Sequence, residues 1–343
     1  MIGEFTKNFT SGKSKQTVQA RYVEWLRQAM MNYVPMTNDL EEGLALDLGK
    51  TPMVLKDTPC LVISSGPGLD MHGSRLKEVV DRYPDLVVFC PTSQAQTFTY
   101  YAGKRPDYIV AVDAGEVTWK EAAWLDKDGN EHAGPFGDGW AGTTLMTTIT
   151  AHPRLYHYWR NNKWPIKLFQ QYQPEIDLFD HVFPSVFPLT LVSMAGCVTN
   201  AMIQIANRIG YTQFHIGMDY GYPYGMERCT EWKHDGDDWY KIEPGRFTVQ
   251  RHALRKAANG VRTDSVMLMY KQAFMNLLHE DMFDITHIGP YDGIVYEVAT
   301  MEMNDFLDDW QTYPRLTDEE KTAITEEWQT KAGLRKIEAE KKE

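Results

Sequence analysis

The sequence lacks most of the short motifs by which enzymes are commonly recognised. Its four cysteines form no CxxC pair, and its ten histidines form no HxH or HExxH pair. The patterns typical of a zinc site are therefore missing. It also has no GxSxG motif and no P-loop, in which Lys-Ser or Lys-Thr follows the last glycine. These absences disfavour zinc enzymes, serine hydrolases of that type and P-loop kinases.

Positive charge and long apolar runs are also scarce. The chain has 35 Lys and Arg against 47 Asp and Glu, a net charge of −12. This charge argues against a protein that clamps nucleic acid, which needs a field of cations facing the phosphates. No signal peptide is recognisable, and no stretch approaches the roughly 18 apolar residues of a membrane span. We therefore expect a soluble, cytoplasmic protein without a membrane partner. Its free thiols are Cys60, Cys90, Cys197 and Cys229.

At 343 residues the chain is long enough for one large domain or two smaller ones. Helical spacing of apolar residues predicts an amphipathic helix from Gln16 to Tyr33. We expect three parts: an N-terminal helical arm over 1–54, a catalytic domain over 55–310 and a charged C-terminal helix over 311–343.

Short, continuous apolar runs alternate with helical patterns in the predicted catalytic domain. Such runs, bounded by turn residues, are typical of buried parallel strands. The sequence thus predicts an α/β, Rossmann-like, mostly parallel sheet flanked by helices. The predicted strands are Cys60–Ile63, Leu86–Cys90, Tyr108–Val112, Thr143–Thr150, Gln213–Met218 and Ile285–Ile288.

The segments between the strands differ in how clearly they are patterned. A helix follows the small residues near 193–197 and has Gly210 as its C-terminal cap, and another covers 263–283 with Thr263 or Asp264 as its N-cap. Residues 126–142 and 221–245 are expected to be loops. The aromatic segment 153–190 has no clear pattern and is treated as an insertion, a candidate lid.

Candidate ligand-binding residues follow the predicted strands, where open α/β sheets bind their ligands. Glycines after a strand let the backbone approach a phosphate, although a plain strand-to-helix turn explains them too. The carboxylates can hold a ribose or a metal or merely cap a helix, and Asn200 can bind a ligand or be a core amide. The candidates are Ser65, Gly66, Pro67, Gly68, Asp70, Thr92, Ser93, Asp113, Gly196, Asn200 and Asp219.

Histidines supply the candidate general bases, since imidazole titrates near neutral pH. His234 and His287 are predicted to lie in loops, whereas His215 lies within a predicted strand and is expected to be structural. Asp113 and Asp219 are expected on the same edge of the sheet, about 10–15 Å apart if two or three strand spacings separate them. That separation suits two different roles better than one shared metal.

The order of these motifs resembles the 6-hydroxymethylpterin diphosphokinase MptE-like family, over about residues 55–310. The resemblance is carried by SSGPGLD, GKRPDYIVAVDAG, MAGCVTNAMIQIANRIGYTQFHIGMDYGY, TDSVMLMYKQAF and ITHIGPYDGI. The bacterial motility accessory factor proteins, which are flagellin glycosyltransferases, form the branch that the chain resembles most. The family's glycine-rich nucleotide loop then falls on Gly66, Pro67, Gly68 and Asp70, and its aspartate elements fall on Asp107, Asp113 and Asp219.

The chain departs from the family's pattern at two strand ends. Pro91–Gln94 replaces an acidic residue or an Asn, and HIGPYDG replaces a late element that contains a Glu. AVDAG, moreover, stands where the pterin kinases are expected to carry a doubled acidic motif. Loss of carboxylates weakens the case for magnesium chemistry on a polyphosphate, which needs two or more hard oxygen ligands.

The resemblance implies a nucleotide-dependent transferase, and three functions stay open. The first is a glycosyltransferase that uses a CMP- or UDP-linked sugar on a hydroxyl acceptor, with Asp219, His234 or His287 as the base. The second is a diphosphokinase that moves pyrophosphate from ATP to a hydroxymethylpterin-like compound, with Mg²⁺ on Asp113. The third is a nucleotide-binding accessory protein without catalysis. A homo-oligomer is compatible with each of them.

Overall fold

Continuous apolar runs form the centre of one large parallel sheet, as the sequence predicts. The computed structural model describes residues 12–55, 58–172, 177–193, 197–221, 226, 228–243, 255–256, 262–281, 285–289 and 298–312. Every strand pair of its ten-stranded sheet is parallel. These strands are β1 (Leu46–Asp47), β2 (Pro59–Ile63), β3 (Val87–Pro91), β4 (Tyr108–Ala111), β5 (Thr144–Thr148), β6 (Ile166–Tyr172), β7 (Leu191–Ser193), β8 (Thr212–Ile216), β13 (Ile285–Ile288) and β14 (Ala299–Met301).

Helices cover both faces of the sheet, and two small antiparallel pairs lie outside it. The pairs are β9 (Glu231–His234) with β10 (Trp239–Ile242) and β11 (Arg255–Lys256) with β12 (Arg262–Thr263). The α-helices are α1 (Gly12–Glu41), α2 (Gly68–His72), α3 (Leu76–Arg82), α4 (Thr92–Ala102), α5 (Glu116–Ala122), α6 (Pro153–Asn161), α7 (Phe183–Val186), α8 (Val198–Ile209), α9 (Ser265–Asp281) and α10 (Met303–Asp309). The architecture is therefore α/β and Rossmann-like.

The strand order reverses direction between β2 and β8. The order is β1-β6-β5-β4-β3-β2-β8-β13-β14, with β7 paired to the far side of β6. From β2 the chain builds outward through β3, β4, β5 and β6, and it then returns to place β8, β13 and β14 on the other side. A reversal of this kind opens a crevice at the carboxyl ends of the two central strands.

The two faces of the sheet have separate apolar cores. Alternate residues of β2 point to opposite faces, as a strand's period of two requires. Leu61 and Ile63 belong to the core that also contains Trp25 of α1 and Phe98 of α4, whereas Val62 belongs to the core that contains Ile205 of α8. Helix α1 thus contributes to the main core, and the proposed boundary of an N-terminal arm at residue 54 stays a prediction.

Two segments differ from the sequence-based expectation. The lid proposed for 153–190 is wrong, because most of this segment forms α6, β6, a π-helical turn and α7. Its aromatic rings face the core, where Tyr156 and Trp159 are fully buried. The loop predicted for 221–245 is also wrong over 231–242, where β9 and β10 form a hairpin.

Other predicted elements are confirmed with shifted ends. The first helix continues beyond Tyr33 to Glu41 and includes Pro35. Gly210 has the left-handed conformation (φ +97°) that ends α8. Asp264 caps α9 by accepting a hydrogen bond from the N–H of Met267 (2.9 Å). The tail predicted to be helical from Thr317 lies outside the described residues.

A buried carboxylate connects α1 to α6. Asp39 is 1% exposed, and its Oδ2 accepts hydrogen bonds from the Tyr156 hydroxyl and from Nε of Arg160, the latter at 2.6 Å. Burial raises the pKa of the Asp39 carboxyl, but the bonds from Arg160 and Tyr156 outweigh it and lower the pKa below 3.8. The ionised form therefore helps to hold α1 in place.

We expect Arg160→Met to lower the free energy of unfolding by about 1–3 kcal/mol at neutral pH, since it leaves a buried carboxylate without its cation. Because the pKa of Asp39 is depressed in the folded state, this stabilisation is present above the unfolded pKa of about 3.9 and is lost as the pH falls through the folded value. The difference between variant and wild type should thus narrow toward pH 3. Urea unfolding followed by tryptophan fluorescence measures it.

Arg208→Met is the matched control, because Arg208 is exposed at the end of α8. Equal losses in the two variants, or a loss in Arg160→Met that does not change with pH, would contradict the role given to the Asp39 pair.

Candidate active site at the strand-order reversal

The chain segments that leave β2 and β8 run side by side beyond the sheet. The N–H of Ser64 donates to the carbonyl of Ile216, and that of Gly66 donates to the carbonyl of Gly217, both at 2.9 Å. The Thr199 hydroxyl, at the start of α8, bonds to the Ser64 hydroxyl at 3.2 Å. Three segments that are far apart in sequence therefore meet at the crevice.

Asp219 holds the glycine-rich turn that follows β2. Its carboxylate is 3% exposed, and its Oδ2 accepts a hydrogen bond from the N–H of Gly68 at 2.8 Å. A Cβ on Gly66 would stand 2.8 Å from the Asp219 Cγ and closer still to its Oδ2 and to the Gly217 carbonyl. Glycine is needed at this turn because another strand end approaches it closely. The N–H groups of Gly66 and Gly68 are already hydrogen-bonded, and the nucleotide role predicted for Gly66, Pro67 and Gly68 stays a prediction.

Asp70 fastens a second segment over the turn. Its carboxylate oxygens accept hydrogen bonds from the Thr230 N–H (2.9 and 3.1 Å) and from the Thr230 hydroxyl (3.0 Å). The N–H of Cys229 donates to the carbonyl of Ser65 at 3.0 Å. The segment that enters β9 therefore forms one wall of the crevice.

The end of β3 offers hydrogen-bond donors. Helix α4 begins immediately after Pro91, and no side chain caps its N-terminus. Ser93 in its first turn shares a hydrogen bond with the Ser65 hydroxyl at 3.0 Å. The next residue, Gln94, is fully buried, and neither polar atom of its amide has a hydrogen-bond partner among the described residues. Buried polar groups are rarely left unpaired, and Thr148 and Gln170 likewise each have such an atom among the described residues.

Asp113, at the end of β4, forms an ion pair that the sequence did not reveal. Nη1 of Arg21 in α1 lies 2.5 Å from its Oδ1, and both side chains are almost half exposed, at 41% and 46% for Arg21 and Asp113. The same Oδ1 accepts a hydrogen bond from the Gly115 N–H at 3.1 Å. Helix α1 thus brings a cation to the carboxyl edge of the sheet.

Asn200 is held by partners inside the protein. It is fully buried, its Oδ1 accepts from the Tyr220 hydroxyl at 2.5 Å, and its Nδ2 donates to the Tyr270 carbonyl at 3.2 Å. Tyr220 has a positive φ of +46°, which is uncommon for a bulky residue. The alternative of a hydrogen-bonded core amide accounts for these bonds, and a ligand role for Asn200 stays a prediction. Gly196 lies outside the described residues.

His234 lies at the end of β9 rather than in a loop, which corrects the placement expected from the sequence. It is 7% exposed. Its Nδ1 accepts from the Gly236 N–H at 3.2 Å, and its ring packs against those of His132, Trp124 and Trp239. Among the bonds and ring contacts of the described residues, His234 makes none with Asp219.

His287 is likewise not in a loop. It lies within β13, is 3% exposed and pairs in register with His215 of β8. Burial lowers the pKa of each imidazole to about 3. The neighbouring His72 adds to the lowering of the His287 pKa, and His287 adds to the lowering of the His215 pKa. Both rings are therefore neutral at neutral pH, and His215 is a structural residue of the sheet, as expected. The roles of His234 and His287 as general bases stay predictions.

A group of charged residues around the buried Lys233, which sequence reasoning missed, lies beside Thr92. The Thr92 hydroxyl donates to Oε2 of Glu121 at 3.1 Å, and Nζ of Lys233 donates to the Glu121 carbonyl at 2.8 Å. Burial raises the pKa of Glu121 and lowers the pKa of Lys233. Arg228 and Glu231 form an ion pair nearby (3.1 Å). No sequence motif predicts this group, since Glu121 lies in an ordinary amphipathic helix.

Asp113 and Asp219 lie on the same edge, as predicted. The strand order places β3 and β2 between β4 and β8, so three spacings of about 5 Å separate the two strand ends. Within the described part of the chain, no group of three or more His, Cys, Asp or Glu side chains is arranged to hold a metal ion. Asp113 therefore stays a predicted ligand for Mg²⁺ only in the diphosphokinase alternative.

Comparison with known proteins agrees with this architecture. The model of the family "6-hydroxymethylpterin diphosphokinase MptE-like" matches residues 30–225. The chain belongs to this family. No curated protein matches this MptE-like chain.

One solved structure shares the fold at low identity. It is the MAf glycosyltransferase from Magnetospirillum magneticum AMB-1, with a TM-score of 0.51 and 15% identity over 82% of this chain. The MptE-like chain spans 37% of the length of that protein. The likeness supports the Rossmann-like fold. Within the described residues, no helix combines the length and the apolar character that crossing a bilayer requires.

We expect Gly66→Ala to lower the free energy of unfolding by about 1–3 kcal/mol, because the added methyl group collides with Asp219 and with a backbone carbonyl. Gly115→Ala is the matched control at a neighbouring strand end. A Cβ there meets its nearest atom, Cγ1 of Val117, at an ordinary 3.5 Å. The control should stay within about 1 kcal/mol of wild type. Urea unfolding compares the two, and equal stability of both variants would contradict the close approach of Asp219.

Proposed function

We propose that this chain is a transferase that binds a nucleotide-linked sugar in the crevice between β2 and β8 and transfers the sugar to a hydroxyl acceptor. The observation that carries the proposal is the meeting of the predicted residues there. Ser65 bonds to Ser93, and Gly68 bonds to Asp219, at the place where open α/β sheets bind their ligands. Membership of the MptE-like family supports a transferase.

The donor's phosphate groups are proposed to lie against the start of α4. Its first N–H groups are not capped by a side chain, and a helix N-terminus favours an anion. The hydroxyls of Ser65 and Ser93 and the unpaired amide of Gln94 add donors. The turn at Gly66–Gly68 is less suited to a phosphate, since its N–H groups already bond to the Gly217 carbonyl and to the Asp219 carboxylate, and the carboxylate would repel a second anion.

Asp219 is the proposed base for the acceptor hydroxyl. It lies at the turn itself, whereas His287 lies within a strand and His234 packs in an aromatic cluster. A carboxylate in hydrogen-bond reach of a bound hydroxyl can accept its proton during transfer.

The diphosphokinase alternative is less well supported by the residues present. It requires Mg²⁺ held by at least two hard oxygen ligands. The Asp113 carboxylate is bonded to Arg21, and that of Asp219 is bonded to the N–H of Gly68. The family name, which is that of a diphosphokinase, keeps this alternative as an outcome of the test.

The test is calorimetric titration of the chain with CMP, UDP, GDP and ATP, with and without Mg²⁺. We expect a pyrimidine nucleotide to bind without a metal requirement, and Ser93→Ala to weaken it about 5- to 10-fold, the effect of about one lost hydrogen bond. Ser74→Ala, at an exposed serine, should bind as wild type does. Binding of ATP that depends on Mg²⁺ would favour the diphosphokinase instead. Binding of a nucleotide, together with no release of CMP or UDP when the corresponding nucleotide-linked sugar is supplied with a hydroxyl acceptor, would favour the accessory protein.

A second prediction concerns Asp113. We expect Asp113→Asn to abolish nucleotide binding while the fold stays intact, because the amide cannot replace a carboxylate that holds a ribose hydroxyl or a metal. Arg21→Met removes the other half of the ion pair. Comparing the two variants separates a role of Asp113 in nucleotide binding from a role in anchoring α1. If Asp113 only anchors α1, both variants should lose similar stability and keep their nucleotide affinity. Thermal unfolding and calorimetry on the two proteins decide between these outcomes.

A further inference from the structure

A cleft on the same edge of the sheet carries cationic groups that the proposed donor site does not use. It lies between α1 and the starts of α5 and α6, and its volume is about 310 Å³. Its lining consists of Arg27, Gln28, Met31, Glu116, His152, Pro153 and Arg154.

The position of the cleft suits a second ligand that meets the donor. Nε2 of Gln28 donates to the carbonyl of Ala114 at 3.2 Å, the residue directly after Asp113. Helices α5 and α6 start beyond the ends of β4 and β5, which lie two and three strands away from β2. At about 5 Å per strand, the cleft is roughly 10–15 Å from the crevice.

The nitrogen-bearing side chains of the cleft present hydrogen-bond donors. The N–H of Arg154 donates to Nδ1 of His152 at 3.3 Å, so the neutral ring carries its hydrogen on Nε2. The guanidinium groups of Arg27 and Arg154 can only donate. Arg154 is held in place over the Trp119 ring at 5.1 Å and beside Glu116 at 3.3 Å. These contacts restrict where the guanidinium group lies, and 62% of the side chain stays accessible to a ligand.

The local charge is positive although the chain is acidic overall. Glu116 is the one acid in the lining, and it is shared between Arg154 and Lys120, the latter at 3.5 Å. Arg27 has no ion pair among the described residues, although Glu24 lies one turn earlier on α1. Two arginines and a lysine therefore stand against two glutamates, and an anion would complete the balance.

We propose that this cleft binds the carboxylate or phosphate group of a second small ligand, the acceptor of the transfer, between Arg27, Arg154 and His152. The identification as the acceptor rests on the proposed function, whereas the anion site rests on the cleft alone. A second cavity of about 460 Å³ lies on the other side of Arg154 and gives room for the uncharged part of the ligand. Its lining is Trp119, Glu131, Arg154, His157, Tyr158, Asn161 and Asn162, so the Glu131 carboxylate disfavours a second anionic group there.

The test uses glucuronate, glucose 6-phosphate and glucose as probes, titrated into the full chain in about 50 mM salt, where exposed charges are less screened. Glucuronate and glucose 6-phosphate should bind, and glucose should bind about tenfold more weakly or not at all, the effect of losing a charge-assisted hydrogen bond. Whichever of glucuronate and glucose 6-phosphate binds more tightly shows whether the site prefers a carboxylate or a phosphate.

Variants locate the binding site. Arg27→Met and Arg27→Met/Arg154→Met should weaken the binding of both acids, the double variant by about tenfold or more. Arg27→Met guards against a folding defect, because Arg27 is exposed and Arg154 packs on Trp119. Arg208→Met, which removes an exposed cation elsewhere, should bind as wild type does. Three results would overturn the proposal. They are glucose binding as tightly as the two acids, the Arg27 variants binding the acids as tightly as the control does, and no binding of either acid at roughly 20 mM.

The same proteins separate this inference from the proposed function. Arg27→Met should keep its nucleotide affinity, because Arg27 contributes to the cleft alone. Loss of nucleotide binding in the wild type with retained binding of the acids would count against the donor site and leave the anion site in place.

Discussion

The hydrogen bond from the N–H of Gly68 to the Asp219 carboxylate joins the two halves of the sheet at their common edge. It connects the turn after β2 with the end of β8, 151 residues apart in the sequence. The bond requires glycine at position 66, because Asp219 and the Gly217 carbonyl leave no room for a side chain. The shape of the crevice therefore depends on one buried carboxylate and on the absence of a methyl group opposite it.

That carboxylate also determines which part of the edge is suited to an anion. A negative charge already sits against the glycine-rich turn, so a phosphate there would meet repulsion in a poorly solvated place. The start of α4 offers donors in its uncapped N–H groups and in the hydroxyl of Ser93, and the acid beside it, Glu121, is bonded to the Thr92 hydroxyl. The cationic cleft between α1, α5 and α6 lies farther along the same edge. The arrangement thus separates two positions for anions, although the chain as a whole carries a net charge of −12.

The fold could be predicted from the sequence to a large extent, because its signals are local. Buried parallel strands are continuous apolar runs, as in Cys60–Ile63 and Ile285–Ile288, and Gly210 and Asp264 end and start their helices as expected. The segment 153–190 was misjudged because it contains both helices and a strand. Its buried aromatic residues therefore follow neither the helical nor the strand period along the whole segment. The hairpin of β9 and β10 was missed because polar and acidic residues around its turn resemble a loop.

The site was predictable only in its position along the edge. The predicted strand ends indicated which residues lie at the carboxyl edge of the sheet. Which of these side chains form pairs with residues distant in sequence depends on tertiary structure. Arg21 lies 92 residues before its partner Asp113, and the burial of Lys233 against Glu121 comes from a hairpin that packs on α4. His287 is a different case, since the predicted strand Ile285–Ile288 already contains it and only its placement in a loop as a candidate base was wrong.

For this chain, similarity to a solved structure supports the fold but does not support a particular chemical reaction. At 15% identity and a TM-score of 0.51, the structural neighbour supports the path of the backbone, and function must be argued from the residues that the path brings together. Those residues include a buried amide at Gln94 that has no partner among the described residues, a carboxylate that holds its own turn at Asp219, and two arginines in a cleft beyond Asp113. The proposed nucleotide donor would lie near the first, avoid the second and leave the third for another anion. The proposed donor and the proposed acceptor are therefore best sought as two separate ligands of one sheet edge.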